Sequence, residues 1–404
     1  MRVRLWTIIV TAALLAVLSG RSILAAQPEI VVADTHSGSV ATFSGPESLH
    51  GFNFNGVPTL IYSAYMPGDS SLVLYEAQRI NGSWTTQRIP GSPVSVNFAG
   101  AVAIGSTLYA GATGTAPDAG VTILSQTSGV WSLADHQAAP ANSTGYGLAI
   151  SMGVAGNRPY AVYGGGSPPS ANIPMILEQQ SNLSWQETPV NLPNNAGPNR
   201  FGLGHSGADP QVLVGTQGGF GDFLAQRTNG VWSSTSLPDY RNDFGASLRY
   251  DSSGNPELLV ATSSSNGTPT SNSILTLQNG TWTPNQINNP TGVAVGSDFQ
   301  ILNGVPTVAY LDRQDGDLHF RQLINGIFTD KILDTNLDAS FPDAVSVFAA
   351  PDGNIGVAYL SDIGGEPLRY IEVVPEPAIG MAAMTLGLIT LSRRRRGEPR
   401  SDSI

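Results

Sequence analysis

The sequence of 404 residues contains no cysteine. This absence excludes disulfide bonds, thiolate metal ligands and cysteine nucleophiles together. Charged residues are also scarce, at 12% of the chain. Between the two ends, no long stretch shows the i, i+3, i+4, i+7 apolar spacing of an amphipathic helix. The fold is therefore expected to depend on a large packed core that is not built from helices.

Positive charge is nearly absent from the middle of the chain, residues 27–374. Eight of the 19 basic residues lie outside this segment, which leaves 11, and three of the 30 acidic residues lie outside it, which leaves 27. The segment therefore carries a net charge near −16, and Lys331 is its one lysine. Nucleic acids and anionic membranes are bound by clustered cations that replace counterions. Neither is an expected partner of this segment.

The first 26 residues have the three parts of a secretory signal peptide. Arg2 and Arg4 make a basic start, residues 5–18 are apolar, and Ala25 and Ala26 are small. The apolar run is too short, and its flanks are wrong, for a mature membrane span. We predict a signal-peptide helix that is cleaved near Ala26, and hence export.

The last 30 residues have a different three-part pattern. Pro375, Glu376 and Pro377 precede an uncharged segment, residues 378–392, which is followed by Arg393, Arg394, Arg395 and Arg396. At about 1.5 Å per residue this segment spans roughly 22 Å as a helix, short of the ~30 Å hydrocarbon core, so its insertion is marginal. The four arginines would stay cytoplasmic by the positive-inside rule. Everything before Pro375 would then lie outside the membrane.

This tail resembles the PEP-CTERM sorting signal, in which a Pro-Glu-Pro motif, a short membrane segment and an arginine cluster follow one another. The resemblance implies a bacterium of the Gram-negative type with an exopolysaccharide system. It also implies a membrane-bound, transpeptidase-like sorting enzyme as a partner that processes the tail near the motif. The protein would be anchored transiently in the inner membrane and delivered to the cell envelope or extracellular matrix. An uncleaved tail that stays as a permanent anchor is the alternative.

The segment between these ends has many glycines and prolines and is built from repeats. Of the chain's 46 glycines and 28 prolines, most lie in it, which favours short strands and turns and an all-β class. A turn followed by an aromatic residue recurs, first as Asn81-Gly82-Ser83-Trp84. The aromatic residues are separated by 47, 54, 47, 50 and 46 residues, at Trp84, Trp131, Trp185, Trp232, Trp282 and Phe328.

A second series consists of seven apolar segments, one upstream of each turn and one near the C-terminal end. They include "VPTLIYSAY" from Val57, "VPTVAYL" from Val305 and "NIGVAYL" from Asn354. Repeats of 40 to 50 residues with several strands each are typical of β-propeller blades. We interpret the apolar segment as strand A, which lines the central channel. Strand B follows it, and the Asn-Gly pair is the type I′ turn to strand C.

Seven apolar segments against six turns predict how the ring closes. The distance from an aromatic turn residue to the next apolar segment is similar along the chain. Counted back from the first apolar segment, this distance falls on "EIVVADT", Glu29 to Thr35. We predict that this N-terminal stretch supplies strands C and D of a split blade, beside Leu368 to Val373, and that the C-terminal end supplies strands A and B. The fold class is then an all-β, seven-bladed propeller, residues 27–374, with both sheet edges paired. Six or eight blades would leave one series unexplained.

The repeat unit, with its Gly-x-Pro start, Gly-Asp turn and Asn-Gly-x-Trp-Thr end, resembles the loose repeats of secreted bacterial propellers. Sialidase-type propellers among them carry an Asp-box, Ser-x-Asp-x-Gly-x-x-Trp, and no copy of it stands in this sequence. The resemblance implies the architecture and not an activity.

The densest polar cluster is "YLDRQDGDLH", with Asp312, Arg313, Asp315, Asp317 and His319. Two of its carboxylates are suited to acid and base catalysis on a sugar, or its acidic side chains to binding calcium. Equivalent hairpins in other blades are also polar, so a solvated turn is the interpretation we adopt.

The histidines and tryptophans of the sequence do not indicate a metal or sugar-binding site. The five histidines share no metal-ligand spacing, and the regularly placed tryptophans favour packing between sheets over sugar stacking. No catalytic residue, cofactor site or metal ligand is predicted. The sequence therefore predicts an exported, non-enzymatic propeller that acts as an interaction or matrix component, with exopolysaccharide or envelope proteins as partners. The alternative is a glycan-active enzyme, glycosidase or lyase, with its site at a channel mouth.

Overall fold

The structure is a computed structural model, and the residues it describes are those of the strands and their nearer connections. The described residues are 30–33, 49–64, 69, 71–93, 95–114, 119–139, 149–165, 173–190, 192, 198–206, 209–216, 222–237, 240–241, 247–263, 269–278, 280–287, 294–312, 314–335, 337, 344–360 and 368–374. The predicted signal peptide, Pro375, Glu376 and Pro377, the membrane segment 378–392 and Arg393 to Arg396 all lie outside them.

Seven antiparallel sheets of four or five strands make up the fold, which confirms the predicted all-β, seven-bladed propeller. From the channel outward, blade 1 contains β2 (Leu49–Phe54), β3 (Val57–Ala64), β4 (Val73–Ile80) and β5 (Ser83–Arg88). Blade 2 contains β6 (Val96–Ile104), β7 (Thr107–Gly114), β8 (Gly120–Thr127) and β9 (Val130–Ala138). Blade 3 contains β10 (Ile150–Ala155), β11 (Arg158–Gly165), β12 (Ile173–Gln179) and β13 (Trp185–Pro189).

The next three blades repeat this order. Blade 4 contains β14 (Pro198–Ser206), β15 (Asp209–Thr216), β16 (Asp222–Thr228) and β17 (Val231–Leu237). In blade 5, β18 (Tyr240–Arg241) and β19 (Ser247–Tyr250) both pair with β20 (Pro256–Ser263), which is followed by β21 (Pro269–Gln278) and β22 (Thr281–Gln286). Blade 6 contains β23 (Ala294–Leu302), β24 (Val305–Asp312), β25 (Leu318–Ile324) and β26 (Ile327–Asp334).

Blade 7 joins the two ends of the chain. Its inner strands are β27 (Ala344–Ala349), β28 (Ile355–Leu360) and β29 (Leu368–Val373), and its outermost strand is β1 (Ile30–Ala33). Ile30 pairs with Tyr370 and Val31 with Arg369, which confirms the predicted pairing of the N-terminal stretch with Leu368 to Val373. The predicted share of the N-terminus is wrong, because it supplies one strand of this sheet and not two. The C-terminal segment supplies three, since β27 precedes the apolar segment β28 and is the innermost strand.

The same one-strand shift applies to the whole ring. The apolar segments, such as β3 and β24, are the second strands of their blades and not the channel strands. A second strand has a partner on each side and a neighbouring blade against each face, so seven of the eight residues of β3 are buried. The innermost strands have one edge at the channel and are more polar. Buried apolar character therefore marks the second strand of each blade.

The two ends of the ring differ in the length of their connections. First-to-second and third-to-fourth strand connections share one end, the short-turn face, and most have two residues. Asn81 and Gly82 there have φ of 51° and 83°, the positive values that a type I′ turn requires and that were predicted. The other connections lie at the opposite end, the long-loop face, and have five residues or more, except for the two residues between β17 and β18. This face includes the polar segment after Asp312.

The core lies between the blades, and the repeated aromatic residues belong to it. Trp84 packs on a cluster that includes Tyr62 of blade 1 and Phe348 and Tyr370 of blade 7. The ring centroids of Trp84 and Tyr370 are 5.2 Å apart in an edge-to-face arrangement. Equivalent aromatic residues of five further blades pack against clusters that also mix two blades, namely Trp131, Trp185, Trp232, Trp282 and Phe328. They are core residues, as predicted, and not a sugar-stacking series.

Ring closure also has a polar part. Arg79 of β4 donates to Glu372 of β29 at 2.5 Å, and Asn354 donates to the second oxygen of the same carboxylate at 2.8 Å. The Arg79 guanidinium lies 5.5 Å from the centroid of Tyr370. Both ionic side chains are largely buried, at 20% and 14% exposed. An ion pair between the first complete blade and the last therefore supplements the apolar contact.

A buried glutamate connects blades 1 and 2 without a cation. Glu76 of β4 is fully buried. Its two oxygens accept hydrogen bonds from the side-chain amides of Gln78 and Gln87 in its own blade and from Gln126 and the Trp131 indole in the next. The distances run from 2.7 to 2.9 Å. Several neutral donors thus replace the water that a carboxylate loses on burial.

Residues 27–372 form one compact unit by their internal contacts. The other unit, residues 1–26 with 373–404, has only Val373 and Val374 among the described residues. Within the described part of the chain, no helix is long and apolar enough for a membrane crossing.

Candidate functional site in the central channel

One position on each innermost strand is glycine or polar in all seven blades. These residues, here called the channel ring, lie opposite the same position of the second strand. The channel ring consists of His50, Gly100, Ser151, Gly202, Ser247, Asp298 and Ser346. A larger residue at position 100 would require the backbone of the next blade to shift, because an added Cβ on Gly100 would lie 2.9 Å from the backbone nitrogen of Met152. The ring therefore combines close blade packing with polar side chains.

Several of these side chains bond to the backbone of the following blade. The Gly51 N–H donates to Ser346 Oγ at 2.9 Å, and the Val347 N–H donates to Asp298 Oδ2 at 2.8 Å. His50 Nε2 lies 3.2 Å from the carbonyl oxygen of Ala99, to which it donates. Each bond runs from one blade to the next. This part of the channel polarity is therefore structural, since it satisfies backbone groups that strand pairing leaves open.

Asp298 has the most partners in the channel ring. Besides the Val347 N–H, its carboxylate accepts the Phe299 N–H at 2.7 Å and lies 3.5 Å from each of the hydroxyls of Ser247 and Ser346. The guanidinium of Arg249 is 3.6 Å away. One carboxylate therefore joins blades 5, 6 and 7. Its charge is balanced by backbone donors and by one arginine.

Arg249 is the one arginine among the described residues that line the channel. Its Nε donates to Gln300 Oε1 at 2.8 Å and its Nη1 to the carbonyl of Leu248 at 2.9 Å. Burial lowers the pKa of the guanidinium from its ordinary value, and the charge of Asp298 opposes that shift. The guanidinium is therefore held against blade 6 by Gln300 and Asp298.

Tyr250, which lines the channel, and Tyr160, which is buried in the core between blades 3 and 4, are held by hydrogen bonds. The Tyr250 hydroxyl donates to Gln211 Oε1 at 2.5 Å, and the Tyr160 hydroxyl donates to the carbonyl of Gly204 at 2.6 Å. Burial raises the pKa of both phenols. The ring of His205, which is exposed, lies 6.1 Å from the ring of Tyr250. These tyrosines are neutral hydrogen-bonding groups at neutral pH.

The channel encloses a cavity of about 600 Å³. Its described lining contains hydroxyl, imidazole, amide and aromatic groups beside apolar ones, and Asp298 is the one carboxylate among them. A volume of this size lies in the range of roughly 300 to 1,000 Å³ that small-ligand sites have. The cavity is therefore suited to a small polar ligand.

The polar cluster singled out in the sequence lies elsewhere, at the long-loop face of blade 6. Asp312 ends β24 and His319 is the second residue of β25, and both are buried, at 7% and 6% exposed. Asp315 is exposed in the turn between them, and Arg313 lies outside the described residues. One ligand atom from each of Asp312, Asp315 and His319 lies within 4.8 Å of the others. The interpretation as a solvated turn is therefore wrong for two of its residues.

The sequence did not identify the polar residues of the channel. His50 and His205 are two of the five histidines that share no metal-ligand spacing in the sequence, and both line the channel, whereas His136 lies on the outermost strand of blade 2. No sequence motif points to Asp298, Arg249 or Ser151. The sequence does contain a signal for an innermost strand. Asn55-Gly56 and Asn303-Gly304 directly precede two of the apolar segments, and such pairs indicate a hairpin turn from a further strand before each segment.

Comparisons with known proteins identify the fold. Neither a protein-family model nor a curated protein matches the chain. Among solved structures, a polysaccharide lyase described as a PL25 ulvan lyase has a TM-score of 0.55 at 14% identity, over 86% of this chain and 96% of that one. Polysaccharide lyase Uly1 has a TM-score of 0.52 at 8% identity, over 85% and 92%. BBS1N, in a complex with ARL6DN, has a TM-score of 0.55 at 10% identity, over 87% and 97%. At these identities the similarity shows the propeller fold alone.

Proposed function

We propose that this protein is exported and acts outside the cell as a non-enzymatic propeller that binds a saccharide at its channel. The observation that carries the proposal is the state of the channel's charged groups. Asp298 and Arg249 are both engaged in hydrogen bonds between blades. The cavity beside them is lined by neutral hydrogen-bonding groups and aromatic rings. Such a lining recognises sugar hydroxyls and leaves no charged group free for chemistry.

Glycoside hydrolysis is disfavoured by the count of carboxylates. Hydrolysis with two carboxylates needs an acid and a second carboxylate about 5 to 9.5 Å apart across the bond that breaks. The described lining of the channel supplies Asp298 only. That carboxylate already accepts two backbone hydrogen bonds, one from its own blade and one from the next, so it is engaged in holding the blades together.

A lyase is the second candidate, and two observations favour it. Arg249, His205 and Tyr250 share the channel, and an arginine beside a proton acceptor suits proton abstraction next to a carboxylate. Two of the solved structures with the same fold are polysaccharide lyases. Against it, burial raises the pKa of Tyr250, and the Tyr250 hydroxyl donates a hydrogen bond to Gln211 Oε1. Abstraction by this tyrosine would require a phenolate in a site that disfavours one.

Export and sorting complete the proposal. The signal peptide, residues 1–26, directs secretion, and Pro375, Glu376 and Pro377 with residues 378–392 and Arg393 to Arg396 direct the protein to a membrane sorting enzyme. Processing then releases the propeller into the envelope or extracellular matrix. Mass spectrometry of the mature protein is the test, because peptides from beyond Arg400 would show that the tail is retained.

Binding is tested with a glycan array that includes neutral and uronate-containing exopolysaccharide fragments. The Ser151→Trp variant fills the cavity from the channel ring, and the Ser236→Trp variant places the same side chain on the exposed outermost strand of blade 4. We expect wild type and Ser236→Trp to bind the same glycans and Ser151→Trp to lose at least about tenfold in affinity. Equal binding by all three proteins would exclude the channel, and a uniform lack of binding would favour a protein partner.

A further inference from the structure

Three metal-ligand side chains converge at the long-loop face of blade 6, outside the channel. A tight turn brings them together. The Asp312 N–H donates to the carbonyl of Asp317, and the Gly316 N–H donates back to the carbonyl of Asp312, each at 3.0 Å. Gly316 has a φ of 71°, and an added Cβ would lie 2.6 Å from the carbonyl oxygen of Leu337. The turn is thus fixed by a position that glycine alone fits well.

The largely buried side chain of Asp312 has one carboxylate oxygen without a donor among the described residues. Oδ1 accepts the Gln314 N–H at 2.8 Å, whereas Oδ2 accepts no hydrogen bond from the described residues. The side chain is 7% exposed and faces a second carboxylate, that of Asp315, within 4.8 Å. Burial raises the pKa of Asp312 and the charge of Asp315 adds to the shift, while the Gln314 N–H and the charges of His319 and Arg321 oppose it. The fold therefore leaves one oxygen of this carboxylate, beside a second carboxylate, without a donor.

The imidazole of His319 is oriented towards the same place. Nδ1 lies 3.1 Å from Asp330 Oδ1, and Nε2 lies 3.3 Å from Asp315 Oδ2. The ring stacks on Tyr310, with centroids 5.1 Å apart and planes 10° apart. The Asp330 carboxylate turns Nδ1 into the donor and leaves Nε2 as the nitrogen that faces the two aspartates. Metal-bound histidines are held in this way, with a carboxylate behind the nitrogen that does not bind.

Asp330, which contacts Nδ1 of His319, is itself held in place by Arg321, which lies outside the cluster. Arg321 donates to Asp330 Oδ2 at 2.8 Å and also to the carbonyl oxygen of Ile287 in blade 5. The guanidinium lies 5.7 Å from the centroid of Tyr310. The orientation of His319 therefore depends on contacts between two blades, which fix the imidazole before any ligand arrives.

We propose that Asp312, Asp315 and His319 bind one divalent first-row transition-metal ion through His319 Nε2 and one oxygen of each carboxylate. A mixed nitrogen and oxygen set suits Zn²⁺ and Mn²⁺, whereas Ca²⁺ selects oxygen ligands alone. Bonds of about 2.0 to 2.2 Å require the three atoms to draw closer together. Asp315, 48% exposed in its turn, is the side chain free to move. Three protein ligands leave a coordination position open towards solvent.

The test uses the full chain after treatment with a chelator. Zn²⁺, Mn²⁺ or Ca²⁺ is then added, and binding is followed by calorimetry and thermal unfolding. We expect about one equivalent of Zn²⁺ to bind and to raise Tm by about 2 to 5 °C, and Co²⁺ in its place to give visible absorption bands. A larger Tm rise with Ca²⁺ than with Zn²⁺ would overturn the choice of metal. The absence of any metal-dependent shift in the wild type would overturn the site.

Variants locate the ion. Asp315→Asn changes an exposed side chain, so the fold is retained, and Asp312→Asn removes the buried ligand charge. We expect both to lower the affinity for Zn²⁺ at least about tenfold and to remove the Tm rise. His136→Gln is the control, because His136 contacts Thr122 in blade 2 and has no place in the cluster. An equal Tm rise in Asp315→Asn and the wild type would contradict the proposal.

Discussion

Asp298 in the channel and Asp312 at the long-loop face of blade 6 are both carboxylates at the inner part of a blade, but their surroundings differ. Asp298 accepts backbone hydrogen bonds from two blades and lies 3.6 Å from Arg249. Asp312 has one hydrogen bond and faces Asp315. The hydrogen bonds that Asp298 accepts from two blades make it part of the architecture. Asp312 instead has an oxygen without a donor beside two further metal-ligand side chains, and this combination marks a place for a ligand.

The largest expected effect comes from removing the satisfied carboxylate. Asp298→Ala leaves the Val347 N–H without its acceptor and the Arg249 guanidinium without its opposite charge, so we expect the free energy of unfolding to fall by about 3 to 4 kcal/mol. Urea denaturation followed by tryptophan fluorescence measures it. Asp315→Ala, at the exposed turn of the other site, should change stability by less than about 0.5 kcal/mol. Equal losses in the two variants would remove the distinction between the sites.

Glu257, a second buried glutamate, makes the stability of the fold depend on pH. Glu257, 6% exposed, has no donor at Oε2, and burial together with the charge of Asp251 raises its pKa to about 7, even with Arg249 opposite it on the neighbouring strand. Because the pKa in the folded state lies above the ordinary value of 4.5, the folded state binds the proton more tightly. The stabilisation that comes from this tighter protonation of Glu257 is complete below pH 4.5, declines as the pH rises to about 7, and is absent above that pH.

We therefore expect Glu257→Gln to be more stable than the wild type at pH 8, by up to about 3 kcal/mol, and to differ little at pH 4.5. Thermal or urea unfolding at several pH values measures this difference. Glu76→Gln is the contrasting variant, because Glu76 is satisfied by four side chains and should lose stability at both pH values. A difference for Glu257→Gln that does not change with pH would show that Glu257 is not protonated near neutral pH.

The fold class, the seven blades and the two segments that pair at closure could be predicted from the sequence, because strand pairing repeats with a period that the turns and aromatic residues reveal. The identity of the innermost strands could not. Strands such as β2 and β10 are short, contain glycine and are partly polar, so the apolar second strands were mistaken for them. A sequence pattern shows which residues pair within a blade. It does not show which side chains meet between blades, as Asp298 meets Val347.

The same limit applies to the two sites. Asp312, Asp315 and His319 are near one another in the sequence and were recognised as a cluster, but the burial of two of them depends on Tyr310 and the neighbouring blade. Arg249, Asp298 and Ser151 come from three blades and share no local motif. Their convergence is a consequence of ring closure, which places equivalent positions around one axis.

A smaller effect on stability is expected from the ion pair between Arg79 and Glu372, which joins blades 1 and 7 at ring closure. Arg79→Ala removes the ion pair with Glu372 and leaves that carboxylate with Asn354 alone, so we expect a loss of about 1 to 2 kcal/mol in stability. Arg88→Ala is the matched control, because Arg88 is 51% exposed and 3.8 Å from Asp69 and should cost less than about 0.5 kcal/mol. Urea denaturation of both variants is the measurement. Equal effects would mean that the ion pair adds nothing to closure.

The smallest expected effect is at the unsatisfied carboxylate. Without metal, Asp312→Asn removes a buried charge that faces Asp315, so we expect stability to rise, or to stay within about 1 kcal/mol of the wild type. Unfolding in the presence of a chelator measures it. A loss as large as that of Asp298→Ala would show that Asp312, too, is part of the architecture.

The central claim is that the channel binds a saccharide and does not cleave it. The direct measurement incubates the full chain with an exopolysaccharide that it binds and follows, over the same hours, the bound fraction, new reducing ends and the absorbance of unsaturated uronates. We predict saturable binding that Ser151→Trp weakens, with no reducing ends and no unsaturated product. Appearance of either product with the wild type, and its loss in Ser151→Trp, would contradict binding without cleavage and establish an enzyme.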